Sequence, residues 1–179
     1  MNRDENRFAL AAKTLREAFD ESFAHASKTG TSRFEDYLAV RVGGDPHAIH
    51  LTEIASLFRD RKVVPIISEA PHLLGIASFR GVMAPVYDLA GLLGYSAAKT
   101  FRWLVMARVP APIALALDLF EAHLRVPRDS QSPPADDDTG RKHIRGAIDT
   151  DIVRPIIHIA SVLEAITGRV LSEGAPKEH

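Results

Sequence analysis

The chain reads as a mainly β protein built from two related halves. Three observations predict this. The stretch Gly75 to Gly94, GIASFRGVMAPVYDLAGLLG, runs through the same grammar as Gly146 to Gly168. A hairpin signature precedes each copy. Neither half alone would bury enough apolar surface for comfortable stability, so the two should share a core.

In the first copy a glycine opens an apolar strand. Pro85 leads a β-rich run, and Asp88 enters a leucine-rich helical turn closed by Gly94. In the second copy Gly146 opens, Pro155 precedes Ile156 and Ile157, His158 takes the place of Asp88, and a longer helix is expected to end at Gly168. Upstream, Tyr37 to Val42, a GGDP turn and Ala48 to Leu51 form one hairpin. Trp103 to Val109, a PAP turn and Ile113 to Leu117 form the other, each with turn residues between two apolar runs.

The first thirty-odd residues are a separate element. Phe8, Ala11, Ala12, Leu15, Phe19 and Phe23 recur at helical spacing, with Arg7, Lys13, Arg16, Glu17 and Asp20 largely opposite. This describes an amphipathic helix, broken by the Lys28-Thr-Gly-Thr-Ser run. Its apolar face either packs on the β-domain or serves self-association or a partner contact. The expected organisation is thus a helical extension over 1–33, a β-domain over 34–170 in two subdomains near 34–100 and 101–170, and a flexible tail over 171–179.

Between the first hairpin and the first copy lie Glu53 to Lys62 and an apolar run, Val63-Val-Pro-Ile-Ile. Arg59, Arg61 and Lys62 are read as a solvated loop or as a local charge preference for a partner. Pro127 to Lys142, PRDSQSPPADDDTGRK, has little to bury and reads as a loop. Its Asp136, Asp137 and Asp138 lack the alternating spacing and distal Glu of a calcium loop, so no metal site is expected.

Composition narrows the function. The 179 residues are 46% hydrophobic with a net charge of -1, which lacks the basic excess of a generic nucleic-acid binder. There is no cysteine, hence no disulfide and no thiolate metal site. No run approaches the ~20 apolar residues of a membrane span and the start is charged, so a cytoplasmic protein without membrane insertion is expected. No zincin, nucleophile-elbow, phosphate-loop or dinucleotide motif occurs. A Ser78, Asp88 and His158 set can be drawn, but the Asp88 carboxylate is better employed as the N-cap of the turn that follows it. No enzyme activity and no cofactor are expected.

Tyr37 to Gly168 resembles the CheW-like family, the coupling proteins that join chemoreceptors to a histidine kinase in bacterial chemotaxis. The most specific element is Gly75-Ile-Ala-Ser-Phe-Arg-Gly-Val-Met-Ala-Pro-Val-Tyr-Asp-Leu, similar to the family's G-x-x-N-L-R-G-x-x-x-P-V-x-D-L. The resemblance implies two SH3-like barrels of about five strands each, interleaved and packed together, with a short helix after each half. It implies a non-catalytic adaptor whose partners are the regulatory domain of a chemotaxis histidine kinase and the cytoplasmic tip of a methyl-accepting chemoreceptor. Self-association is a further partner reading.

By the same resemblance, Arg80 falls at the receptor-facing region with Gly81 and Phe79, while Ile54 lines a groove and Ser56 stands near a position where many members carry an acid. Alternatively, Arg80 ties down its own loop. The helix residues Phe8, Leu15, Phe19 and Phe23 are the other candidate contact. Ser78-Phe79 replaces the family's Asn-Leu, so partner choice is expected to shift. Two further readings stand beside this one: a coupler in a non-flagellar pathway such as type IV pilus or developmental signalling, and a divergent double barrel binding a ligand or nucleic acid.

Overall fold

The computed structural model describes residues 33–96, 100–133 and 142–173. The N-terminal helix read from the sequence, with Phe8, Leu15, Phe19 and Phe23, lies outside the described residues, as do the triple aspartate and most of the tail. No helix among the described residues is long and apolar enough to cross a membrane.

Among the described residues, eleven strands form two sheets. β1 (Phe34–Val42), β2 (Asp45–His50), β8 (Leu119–Pro127), β9 (Gln131–Ser132), β10 (Ile144–Asp149) and β11 (Val153–Ile157) make sheet A, in the order β8-β1-β2-β11-β10-β9. β3 (Ile54–Arg59), β4 (Leu73–Phe79), β5 (Val82–Asp88), β6 (Trp103–Ala107) and β7 (Ala114–Leu117) make sheet B, in the order β3-β6-β7-β5-β4. Helix α1 (Leu89–Leu92) follows β5, and α2 (Ile159–Glu173) follows β11. The fold is the expected pair of SH3-like barrels; sheet A exceeds five strands only by the two-residue β9.

The sequence repeat is a structural repeat at single-residue register. The β1–β2 and β6–β7 hairpins correspond, and the parallel pairings Ile156↔Ala48 and Val86↔Ala114 occupy matching places. Pro85 lies opposite Ile76 and Pro155 opposite Ala147. Both halves carry a bulge at one site, where Ala55 is the extra residue on β3 and Glu121 the extra residue on β8. Backbone N–H of Asp88 donates to His72 O, and that of His158 donates to His143 O, each at 2.8 Å.

Repeats and sheets do not coincide, because the halves exchange a strand. β3 follows β2 yet pairs with β6, while β8 follows β7 yet pairs with β1. Three apolar clusters result. One faces the interior of barrel B, around Phe79, Val86, Leu104 and Ala116. Another fills barrel A, around Tyr37, Val126, Ile148 and Ile156. The third lies between the barrels, takes residues from both sheets and both helices, and is the largest, with eighteen buried residues against eight and five.

One element departs from the sequence reading. Helix α2 does not stop at Gly168 but continues to Glu173. An interior glycine costs a helix only about 1 kcal/mol relative to alanine, and the buried Ile159, Val162, Leu163 and Ile166 already fix this helix on the core.

Candidate interaction site

The site begins with the β4–β5 hairpin. Its register pairs Phe79 with Val82, which leaves Arg80 and Gly81 as a two-residue turn. Both have positive φ, 51° at Arg80 and 86° at Gly81, the requirement of the type I′ turn whose twist matches that of the flanking strands. Glycine reaches this region without strain, whereas arginine does so at a cost. The turn therefore holds a strained arginine at the exposed tip of barrel B.

Phe79 is the anchor beneath it. It is 3% exposed, and its ring lies 4.8 Å from that of Phe58. The Arg61 guanidinium sits 5.3 Å from the Phe58 ring. Arg61 and Arg80 thus flank one aromatic pair. The Val64↔Ile76 bridge sets the residues that follow Arg61 alongside β4. Among the described residues the Arg80 side chain makes no hydrogen bond or ion pair, so the turn is held by its backbone pairing and not by the guanidinium. Neighbouring Asp60 is already held by Arg102 at 3.0 Å and Arg59 at 3.2 Å. Hydrogen bonding from Arg102 keeps its carboxyl below the usual aspartate value.

The structure gathers Phe79, Arg80 and Gly81 but not Ile54 and Ser56. Ile54 opens β3, is 4% exposed and belongs to the core between the barrels, where its carbonyl accepts from Arg108 Nη2 at 2.9 Å. Ser56 is half-buried, and its hydroxyl donates to the Ala55 carbonyl at 2.7 Å. Phe79 supports the tip from inside rather than forming its surface, and Ile54 belongs to a different cluster. The exposed apolar side chains at the tip are Val82 and Met83, at 51% and 55%. Sequence reading passed over them because Val-Met between a glycine and a proline looks like strand interior.

Ser78, Asp88 and His158 do not converge. Ser78 lies opposite Met83, five residues from Asp88 along β5, or roughly 16 Å at strand rise. Asp88 Oδ1 accepts from Ala90 N at 3.1 Å, the N-cap that the sequence implied. Among the described residues no three metal-ligating side chains stand together. A cleft of about 590 Å³ opens between α1, β2, β10 and α2, with His47, Tyr95, His143 and Glu164 among its walls.

Two related small barrels that exchange strands and display side chains from hairpin turns define a double-barrel domain of the SH3-like kind. The CheW-like domain profile matches residues 36–167, and the chain belongs to the CheW-like family. Its fold is similar to that of the scaffolding protein TtCheW from Thermoanaerobacter tengcongensis. That crystal structure aligns with a TM-score of 0.61 at 19% identity, over 69% of this chain and 88% of the other. No curated protein matches the chain in sequence.

Proposed function

We propose that this protein is a non-catalytic, cytoplasmic adaptor that couples the tip of a chemoreceptor to the regulatory domain of a chemotaxis-type histidine kinase. Family membership supports the class of role. The observation that carries the reading is Arg80, whose uncommitted guanidinium is held at an exposed turn by a two-residue hairpin and a buried phenylalanine. A planar five-donor group in that position suits a carboxylate or the carbonyl oxygens of a partner helix.

The test is co-elution of the purified chain with the kinase regulatory domain, then with a receptor hairpin-tip fragment added. Both are expected to shift the elution position. Arg80→Gly keeps the turn conformation while removing the guanidinium, and is expected to weaken receptor binding about tenfold or more with the melting temperature held. Undiminished binding by Arg80→Gly would remove Arg80 from the contact. No shift with either partner would remove the coupling role.

A further inference from the structure

The cleft between the two helices lies away from the Arg80 turn. β5 starts beside that turn at Val82 and ends at Asp88, roughly 20 Å farther on at strand rise, and the cleft of about 590 Å³ opens only beyond that end. Its walls are held in place. His47 and His143 are both buried. His47 Nδ1 lies 3.0 Å from the carbonyl oxygen of Asp45, which can only accept, so Nδ1 carries a proton and donates. His143 Nδ1 lies 3.0 Å from Ser161 Oγ, whose own hydrogen goes to His158 O at 2.9 Å, so here too Nδ1 donates. The Tyr95 hydroxyl lies 3.4 Å from His47 Nε2, and the Tyr95 ring rests on Gly43, where a Cβ would stand 2.5 Å from Tyr95 Cγ.

The rest of the lining divides into an apolar floor and a charged rim. Leu92, Leu93, Ile144 and Ala165 form the floor, and Gly168 leaves α2 open beside it, since a Cβ there meets nothing within 4 Å. Asp45, Lys142 and Glu164 form the rim. All three are exposed, and among the described residues their side chains make no hydrogen bond or ion pair. Both signs of charge are therefore available beside one apolar surface. A pocket of this size, with a few oriented polar groups over an apolar floor, suits a small molecule.

We infer that the cleft binds a free amino acid with a large apolar side chain. That side chain lies on Leu92, Leu93 and Ile144, the ammonium meets Asp45 or Glu164, and the carboxylate meets Lys142. A purely apolar ligand would leave the rim unused, an anion would meet two carboxylates, and a cation would meet the lysine. A zwitterion finds an opposite charge at each end. The rim charges are solvated, so each contact is modest and the expected dissociation constant is about 1 mM or tighter. Neither Arg80 nor the coupling role enters, and failure of amino-acid binding would leave that role standing.

Titration of the full chain with L-phenylalanine and with L-leucine, followed in the amide NMR spectrum, is expected to give saturable shifts centred on Tyr95, His143 and Glu164. N-Acetyl-L-phenylalanine, which lacks the ammonium, and L-phenylalaninamide, which lacks the carboxylate, should each bind about tenfold more weakly or worse. Lys142→Ala should weaken L-phenylalanine by about the same factor and leave L-phenylalaninamide unchanged. Gly168→Leu places a side chain in open space beside the cleft, and should abolish binding while the melting temperature is held or raised. No saturable shift with either amino acid up to about 20 mM overturns the inference. So does binding that Gly168→Leu retains at the parent's affinity, or equal affinity for L-phenylalanine and both blocked forms.

Discussion

At the scale of single residues, two glycines do the same work in the two halves. Gly75 and Gly146 have φ of 145° and 146°, and a Cβ would stand 2.1 Å from Val64 O at the first and 2.5 Å from Ser132 O at the second. Each lies on the first strand of its hairpin, where the chain curls back over the backbone of its own barrel. Gly75→Ala and Gly146→Ala are each expected to cost more than about 2 kcal/mol in urea unfolding. Gly81→Ala is the control, because a Cβ there meets nothing within 4 Å. It should cost about 1 kcal/mol, the backbone term alone. Equal losses at all three positions would show that φ, not the close approach, sets the cost.

Helices and hairpins show how far the sequence could be read. Both hairpins and the Asp88 cap were legible because each rests on interactions a few residues apart, and the correspondence of Pro85 with Pro155 was legible from the repeated sequence order around each. The strand exchange was not legible from residue patterns, since alternation along β3 and β8 says which face is buried but not which sheet receives the strand. Burial of Ile54 and Phe79 escaped for the same reason: each is an apolar residue beside a polar one, and only the closed barrels decide which side is interior.

Two predictions belong to these elements. Asp88→Ala removes the cap of α1 and should destabilise by about 1 kcal/mol or more, given its 3% exposure. Gly168→Ala replaces a helix-interior glycine where a Cβ meets nothing within 4 Å, and should stabilise by about 0.5–1 kcal/mol in thermal unfolding. A loss there would mean that the wall of the neighbouring cleft cannot admit a methyl group.

Over the whole molecule, the two barrels close their ends differently, and the difference sets the response to acid. In barrel A the bulge aims Glu121 at Arg41 and Arg154, each 2.6 Å away, while Arg154 is 6% exposed. The counterparts in barrel B are the alanines 55 and 84. Burial alone pushes the Glu121 carboxyl up, but hydrogen bonds and charge from Arg154 and Arg41 outweigh it and hold the group below its ordinary value of 4.5. A lowered native value means that the unfolded chain takes up protons first as pH falls. The contribution is therefore complete above about pH 5 and is lost as pH drops through the native value. Glu121→Gln should flatten that part of the stability profile, and at neutral pH should cost about 3 kcal/mol by leaving Arg154 buried and half-paired. Glu121→Ala with Arg154→Ala, the arrangement barrel B already uses, should lose less than the two single changes added together.

The strand exchange carries a consequence for unfolding. Removing β3 from sheet B would also pull on β2 of sheet A, and removing β8 from sheet A would pull on β7 of sheet B. The largest apolar cluster lies between the barrels and loses one wall if either opens. Neither barrel therefore has an independent folded state to fall back on, and the domain should unfold in one transition. Trp103 reports on this directly. It belongs to β6 of sheet B, but its ring packs 5.4 Å from Phe120 on β8 of sheet A. Trp103 fluorescence and far-ultraviolet circular dichroism should give coincident urea midpoints and equal slopes. Fluorescence that changes ahead of the dichroism would mean that the seam between the barrels opens first, with each barrel holding its strands without the other.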